Sequence, residues 1–203
     1  MHDVTKFQQT PYERVCSLLT FLVKEFDETG EIPCYIFGDH DTRDHSIKPL
    51  IPNAKSANIK GMANVLKSYR ETCPSIMMHG PTTMGPIIAE AIRLCQQSRQ
   101  YHILIIMTDG GISNEEQDAL EVIRASNYPL SIIAVGLGDG PFGVLEKFDN
   151  KLKKRKFDNF NFFDFTQCEK KFGRLENVEE TIAVEMLQEI PDQYKAIKGL
   201  GYL

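Results

Sequence analysis

The sequence contains no Cys-x-x-Cys pair. Its five cysteines (Cys16, Cys34, Cys73, Cys95 and Cys168) are scattered and odd in number, so neither a zinc ribbon nor a RING finger lies within these residues. They read as reduced, mostly buried thiols of an intracellular protein. Excess positive charge is also missing: 23 Lys and Arg face 28 Asp and Glu, for a net −5. That argues against general nucleic-acid binding, which needs a basic face. No apolar run approaches the ~20 residues that span a bilayer. The opening stretch MHDVTKFQQT is polar and lacks the apolar core of a signal peptide. No internal repeat, linker or low-complexity tract is found. What is present is ordinary: 203 residues, 42% hydrophobic and 25% charged, enough to bury a large core without staples.

Periodicity then sets the elements. Val15, Leu18, Leu19, Leu22, Val23 and Phe26 recur at helical steps and predict a helix over 11–28. Thr10 is its N-cap, Pro11 its first residue and Gly30 its stop. IPCYIFG at 32–38 predicts a short buried strand. SIKPLI at 46–51 predicts an edge strand, because Pro49 lacks a ladder donor. Helices are expected over about 57–72, from near Pro86 to Ser98, over NEEQDALEVIRAS, at FGVLEKF and over 176–189. Strands are expected at 103–108, 130–136 and 160–165. The central strands are continuous apolar runs, which require cover on both faces. The fold class is therefore α/β and Rossmann-like, a mostly parallel central sheet with helices on both faces, filling one domain over 1–203.

In such sheets ligands sit beyond the carboxyl ends of the strands. HILIIMTDGGIS, residues 102–113, delivers Asp109 to that rim, and Gly110 and Gly111 turn the backbone away at once. HGPTTMG, at 79–85, supplies Thr82 from a loop-to-helix junction. A carboxylate and a hydroxyl are oxygen donors that suit Mg²⁺. On spacing alone, Asp109 equally starts a turn and Thr82 equally caps a helix.

GPTTMGPII, YHILIIMTDGGIS, IRASNYPLSIIAVGLGDGPF and FDNFNFFDFT, in that order, resemble the von Willebrand factor A-type domain of the copines. They resemble still more the copine-type domain of plant RING ubiquitin ligases. IPCYIFGD and LQEIPDQYKAI fit the same group, so the likeness runs from about Tyr12 to Ile197. The resemblance implies a metal-ion-dependent adhesion site fed by three loops. Thr82 is then the second-loop ligand, with Thr83 the alternative hydroxyl, and Asp109 the third-loop ligand. The ion's open position takes a carboxylate from a partner protein. The first motif of the family, Asp-x-Ser/Thr-x-Ser, is incomplete. DVTKF offers Asp3 and Thr5 but Phe7 where a serine belongs, and the family's first strand is missing or truncated. Mg²⁺ (or Mn²⁺ or Ca²⁺) is expected to bind weakly.

The resemblance implies a cytoplasmic, non-enzymatic protein-interaction module. Membrane contact would be indirect, through C2 domains not in this chain. The alternative is the substrate-recruiting part of a ubiquitin ligase whose RING lies elsewhere. A third reading rests on GLGDGPFG, where Gly138, Gly140 and Gly143 spell the dinucleotide fingerprint, with Asp164 placed for a ribose contact. Against this reading, the fingerprint falls late in the chain and a short helix follows it. KLKKRK, at 151–156, reads as a solvated basic face or as a contact for acidic head groups or a phosphorylated partner. The cluster Asp39, His40, Asp41, Asp44 and His45 reads as a solvated loop.

Overall fold

The computed structural model describes residues 2–4, 9–26, 30–80, 82–173 and 176–203. The chain divides into two compact units, Met1–Pro81 and Thr82–Leu203.

The first unit opens with helix α1 (Pro11–Phe26). Its start is a reciprocal capping box. The Glu13 N–H donates to the Thr10 hydroxyl at 3.2 Å, and the Thr10 N–H donates to the Glu13 carboxylate at 2.7 Å. Both residues are buried. Four short strands follow: β1 (Glu31–Pro33), β2 (Tyr35–Ile36), β3 (Lys48–Pro49) and β4 (Asn58–Lys60). β1 pairs with β4 and β2 with β3, both antiparallel. Helix α2 (Met62–Thr72) then packs on α1, and Arg70 reaches back to the Glu13 carboxylate.

Two expectations are modified here. The predicted single strand at 32–38 is two short pieces. Pro33 donates no ladder bond, and each piece pairs with a different partner. The helix predicted from 57 begins only at Met62, because Asn58–Lys60 forms β4 and Gly61, at φ 75°, stands between. Ile59 is buried between two exposed neighbours, a period of two that helical spacing had absorbed. Pro49 does lie in a two-stranded edge pair, against Tyr35.

The second unit carries the parallel sheet. Its elements are α3 (Gly85–Ser98), β5 (His102–Thr108), α4 (Glu115–Ala125), β6 (Leu130–Gly136), α5 (Gly143–Lys151), β7 (Phe160–Asp164), α6 (Phe165–Phe172), α7 (Val178–Leu187) and α8 (Ile190–Gly199). The strand order is β5-β6-β7, all parallel. Every residue of β6 is buried, so both its faces are covered, as its unbroken apolar run requires. Phe148 of α5 meets Phe160 of β7 edge-on, with centroids 5.8 Å apart. Asn159 donates to the Val122 carbonyl and Asn161 to that of Met186, tying the third strand to α4 and α7.

The terminal helix predicted over 176–189 is shorter, and α8 follows it. Pro191 sits in the first turn of α8, where its missing N–H costs nothing. Helix α6 was also unforeseen.

The register decides where function can sit. Thr108 lies opposite Gly136, and Gly136 opposite Asp164. The three strands therefore end on one line, and the loops after them share one rim.

Candidate functional site

Three segments of the second unit meet at or beside that rim. The first is the loop into α3. Thr82 forms a parallel bridge with Ile112. Its N–H donates to the Gly111 carbonyl at 3.1 Å, and its carbonyl accepts the Ser113 N–H at 2.8 Å. Thr82 is thus held alongside the chain just after Asp109. Thr82 is half-buried and Asp109 exposed.

The neighbouring hydroxyl has another role. Thr83 is buried and donates to the carboxylate of Asp118, in the first turn of α4. The same carboxylate accepts the N–H groups of Met84 at 3.0 Å and Gly85 at 2.7 Å. These are orphan donors at the start of α3, so Asp118 caps a helix that is not its own. Asp118 is fully buried. Burial raises its carboxyl above the ordinary range, against the pull of the donors from Met84, Thr83 and Gly85. The sequence places Asp118 only within the helix expected over NEEQDALEVIRAS. No local signal distinguishes it from Glu115 or Glu116, because its partners lie more than 30 residues upstream.

Gly110 explains the turn after β5. A Cβ there would stand 2.8 Å from the Pro141 carbonyl oxygen and 2.9 Å from the Gly140 carbonyl carbon, and its φ is +107°. No side chain fits, because the loop after β6 lies against it. That loop is GLGDGPFG. The Gly138 N–H donates to the Thr166 hydroxyl at 2.7 Å. Asp164, set against a ribose by the dinucleotide reading, instead caps α6 by accepting the Gln167 N–H at 2.8 Å. Gly138, Gly140 and Asp164 thus have structural neighbours within the protein.

The remaining sequence candidates separate as follows. Asp3 is exposed and belongs to the first unit. It follows His2, whose ring stacks on Tyr12 with centroids 3.9 Å apart. Thr5 and Phe7 lie outside the described residues. In the Asp39 loop, His40, Asp41, Asp44 and His45 are exposed, but Asp39 is buried. It accepts the Thr42 N–H and hydroxyl and pairs with Lys48. Burial alone would raise its carboxyl, but Lys48 and Thr42 outweigh it and hold the group below the ordinary carboxylate range.

Among the described residues, no three His, Cys, Asp or Glu side chains converge so as to hold a metal ion. Thr82 and Asp109 offer a hydroxyl and a carboxylate, the oxygen donors that a hard divalent cation takes. By the chemistry of the donor set, two such oxygens would leave most of a cation's shell to water.

The comparisons with known proteins show the family. The family model described as Copine matches residues 1–203, running through both units. Copine family protein 2 of Caenorhabditis elegans is 41% identical over 204 residues, covering 100% of this chain and 3% of that protein. Copine family protein 1 of the same organism is 38% identical, covering 100% of this chain and 18% of its own length. The E3 ubiquitin-protein ligase RGLG3 of Arabidopsis thaliana is 38% identical over 214 residues, covering 99% of this chain and 58% of the ligase. The chain thus spans less than two thirds of each of these relatives. A three-stranded parallel sheet clothed in helices, with its loops gathered at one rim, is the von Willebrand factor A-type arrangement, and with a match from end to end the chain belongs to the copine family.

Proposed function

We propose that this copine domain is a protein-interaction module whose binding face is the rim carrying Thr82 and Asp109. The observation that carries the reading is the Thr82–Ile112 bridge, which lays the hydroxyl-bearing loop beside the turn that follows Asp109. Bound Mg²⁺, Mn²⁺ or Ca²⁺ would supply an open coordination position for a partner's acidic side chain. The chain's own residues do the rest. Asp109 offers negative charge at the rim, Thr82 a neutral oxygen, and Gly110 lets the turn pass close to Pro141. A cytoplasmic setting is supported by five unpaired cysteines and by the lack, among the described residues, of a helix long and apolar enough to cross a membrane.

Calorimetric titration of the chain with Mg²⁺, beside Asp109→Ala and Thr82→Val, tests the proposal. Weak binding to the parent and none to either variant is expected. Identical heats for all three would end it.

A second reading is favoured by the names of the Arabidopsis relatives, which are E3 ubiquitin-protein ligases. In a longer protein of that type this domain would recruit the substrate, with the catalytic RING outside these residues. Fusing the chain to a RING and following ubiquitin transfer to a captured partner tests it. Transfer unaffected by removing the copine domain would count against it.

A further inference from the structure

The basic run after α5 is neither a loose tail nor a uniform patch. The Arg155 side chain is 9% exposed and ion-paired with Asp158 at 2.6 Å. It also donates to the carbonyls of Leu152 and Asp149, each at 3.1 Å. The Lys156 N–H donates to the Ser126 hydroxyl at 2.9 Å. Arg155 therefore works as a staple, and it fixes a loop on which Lys153, Lys154 and Lys156 are exposed, next to the exposed Lys151 at the end of α5. Among the described residues none of these four lysines has an ion-pair partner. Residues 147–158 hold six basic side chains and two acidic ones, whereas the rest of the chain is strongly acidic. Beside the loop, α4 and α5 enclose a groove of about 420 Å³. Its apolar lining is Ala119, Leu152 and the buried Phe148, with Lys147 and Lys151 contributed by α5 and Glu115 and Glu116 by α4. Lys147 is already paired with Glu115.

We infer that this groove and its lysine loop form a second docking surface, for an acidic peptide segment of a partner protein that seats one apolar side chain between α4 and α5. Charge complementarity selects the acidic segment. The concave apolar floor selects a peptide over a bilayer: a flat membrane cannot reach into the groove between α4 and α5, and it would find no exposed apolar side chain on the loop to take in. The surface uses none of the rim residues at Thr82 and Asp109 and needs no metal.

The test is fluorescence anisotropy in EDTA, with a labelled peptide in which one leucine is flanked on both sides by glutamates. EDTA separates this outcome from that of the metal proposal. Saturable binding is expected, weakening as salt rises. Lys151→Glu, Lys153→Glu and Lys156→Glu together should weaken it more than about tenfold. These side chains are exposed, so circular dichroism should be unchanged. Ala119→Glu, or alanine for leucine in the probe, should weaken it separately. Three results overturn the inference: no binding, equal binding by the charge-reversed variant, or equal binding of a probe with lysines for glutamates. Sedimentation with phosphatidylcholine–phosphatidylserine vesicles, with no peptide binding, would assign the loop to membranes instead.

Discussion

Thr83 donates its hydroxyl to the carboxylate of Asp118, joining the loop before α3 to the first turn of α4. Thr82, one residue earlier, uses only its backbone to hold its place, against Gly111 and Ser113. The two threonines therefore predict opposite phenotypes. Thr83→Val strips a donor from a buried carboxylate and should cost about 1–3 kcal/mol in urea unfolding. Thr82→Val keeps the backbone bonds and should shift stability by less than about 0.5 kcal/mol while abolishing any Mg²⁺ heat. Equal destabilisation by both would show that Thr82, too, is structural.

Glu13 carries an acid-sensitive contribution. Burial alone would raise its carboxyl, but the Thr10 N–H and the bond and charge from Arg70 hold it below the ordinary range. A depressed folded-state value means that the stabilisation is present above the ordinary glutamate range and is lost as pH falls through the lower folded value. Glu13→Gln should therefore lower the melting temperature at neutral pH and show a shallower loss below about pH 4 than the parent. Parallel curves for the two proteins would sink this assignment.

Asp149 behaves in the opposite sense. Burial, and then the charge of Asp158, push its carboxyl up to about 6. Its raised value means that its contribution is fully present in acid and is lost as pH rises through about 6. Asp149→Asn should raise the melting temperature at pH 7.5 by roughly 2–4 °C and leave it little changed near pH 4.5. Destabilisation at pH 7.5 would show that the charged form is favoured after all.

The two glycines after Asp109 should differ. Gly110→Ala meets backbone atoms of the Gly140–Pro141 segment and should cost about 2 kcal/mol or more. At Gly111 no atom stands within 4 Å of an added Cβ, and only its φ of +74° resists. Gly111→Ala should cost about 1 kcal/mol. Chemical denaturation of both variants checks the ordering.

Thiol chemistry gives a fifth prediction. Burial raises Cys16 and Cys95 to about 12 and Cys34 to about 11. Since the thiolate is the reactive form, native protein at pH 8 should be alkylated slowly at all three. Cys16 and Cys95 should react only on unfolding. Mass mapping after a short pulse of iodoacetamide reads this, and prompt labelling of Cys95 would contradict it.

The parallel strands were legible because their signal is local. An unbroken run such as Leu130–Gly136 demands cover on both faces wherever it occurs. The capping box was half read, with Thr10 as the cap: Glu13, three residues on, closes the box from the same stretch, and only its pairing with Arg70 of α2 needed the fold. β4 was missed because three residues carry too little periodicity to outweigh the helix that follows. The cysteines were read as scattered core thiols, and they are free in the structure.

By itself the sequence determined the class of fold and the order of its parallel strands along the chain, which follow from side chains a few positions apart, and its motifs carried the resemblance to the family. Only the tertiary structure decided that Thr83 is bound to Asp118 while Thr82 stands at the rim, that Asp164 caps a helix, and that Arg155 staples a loop of exposed lysines. The Thr83 assignment depends on a hydrogen-bond partner that arrives from a distant element, and extended backbone sends adjacent residues to opposite sides. The partners of Asp164 and Arg155 lie within six residues, but the turns that bring them into reach are set by the packing of the fold.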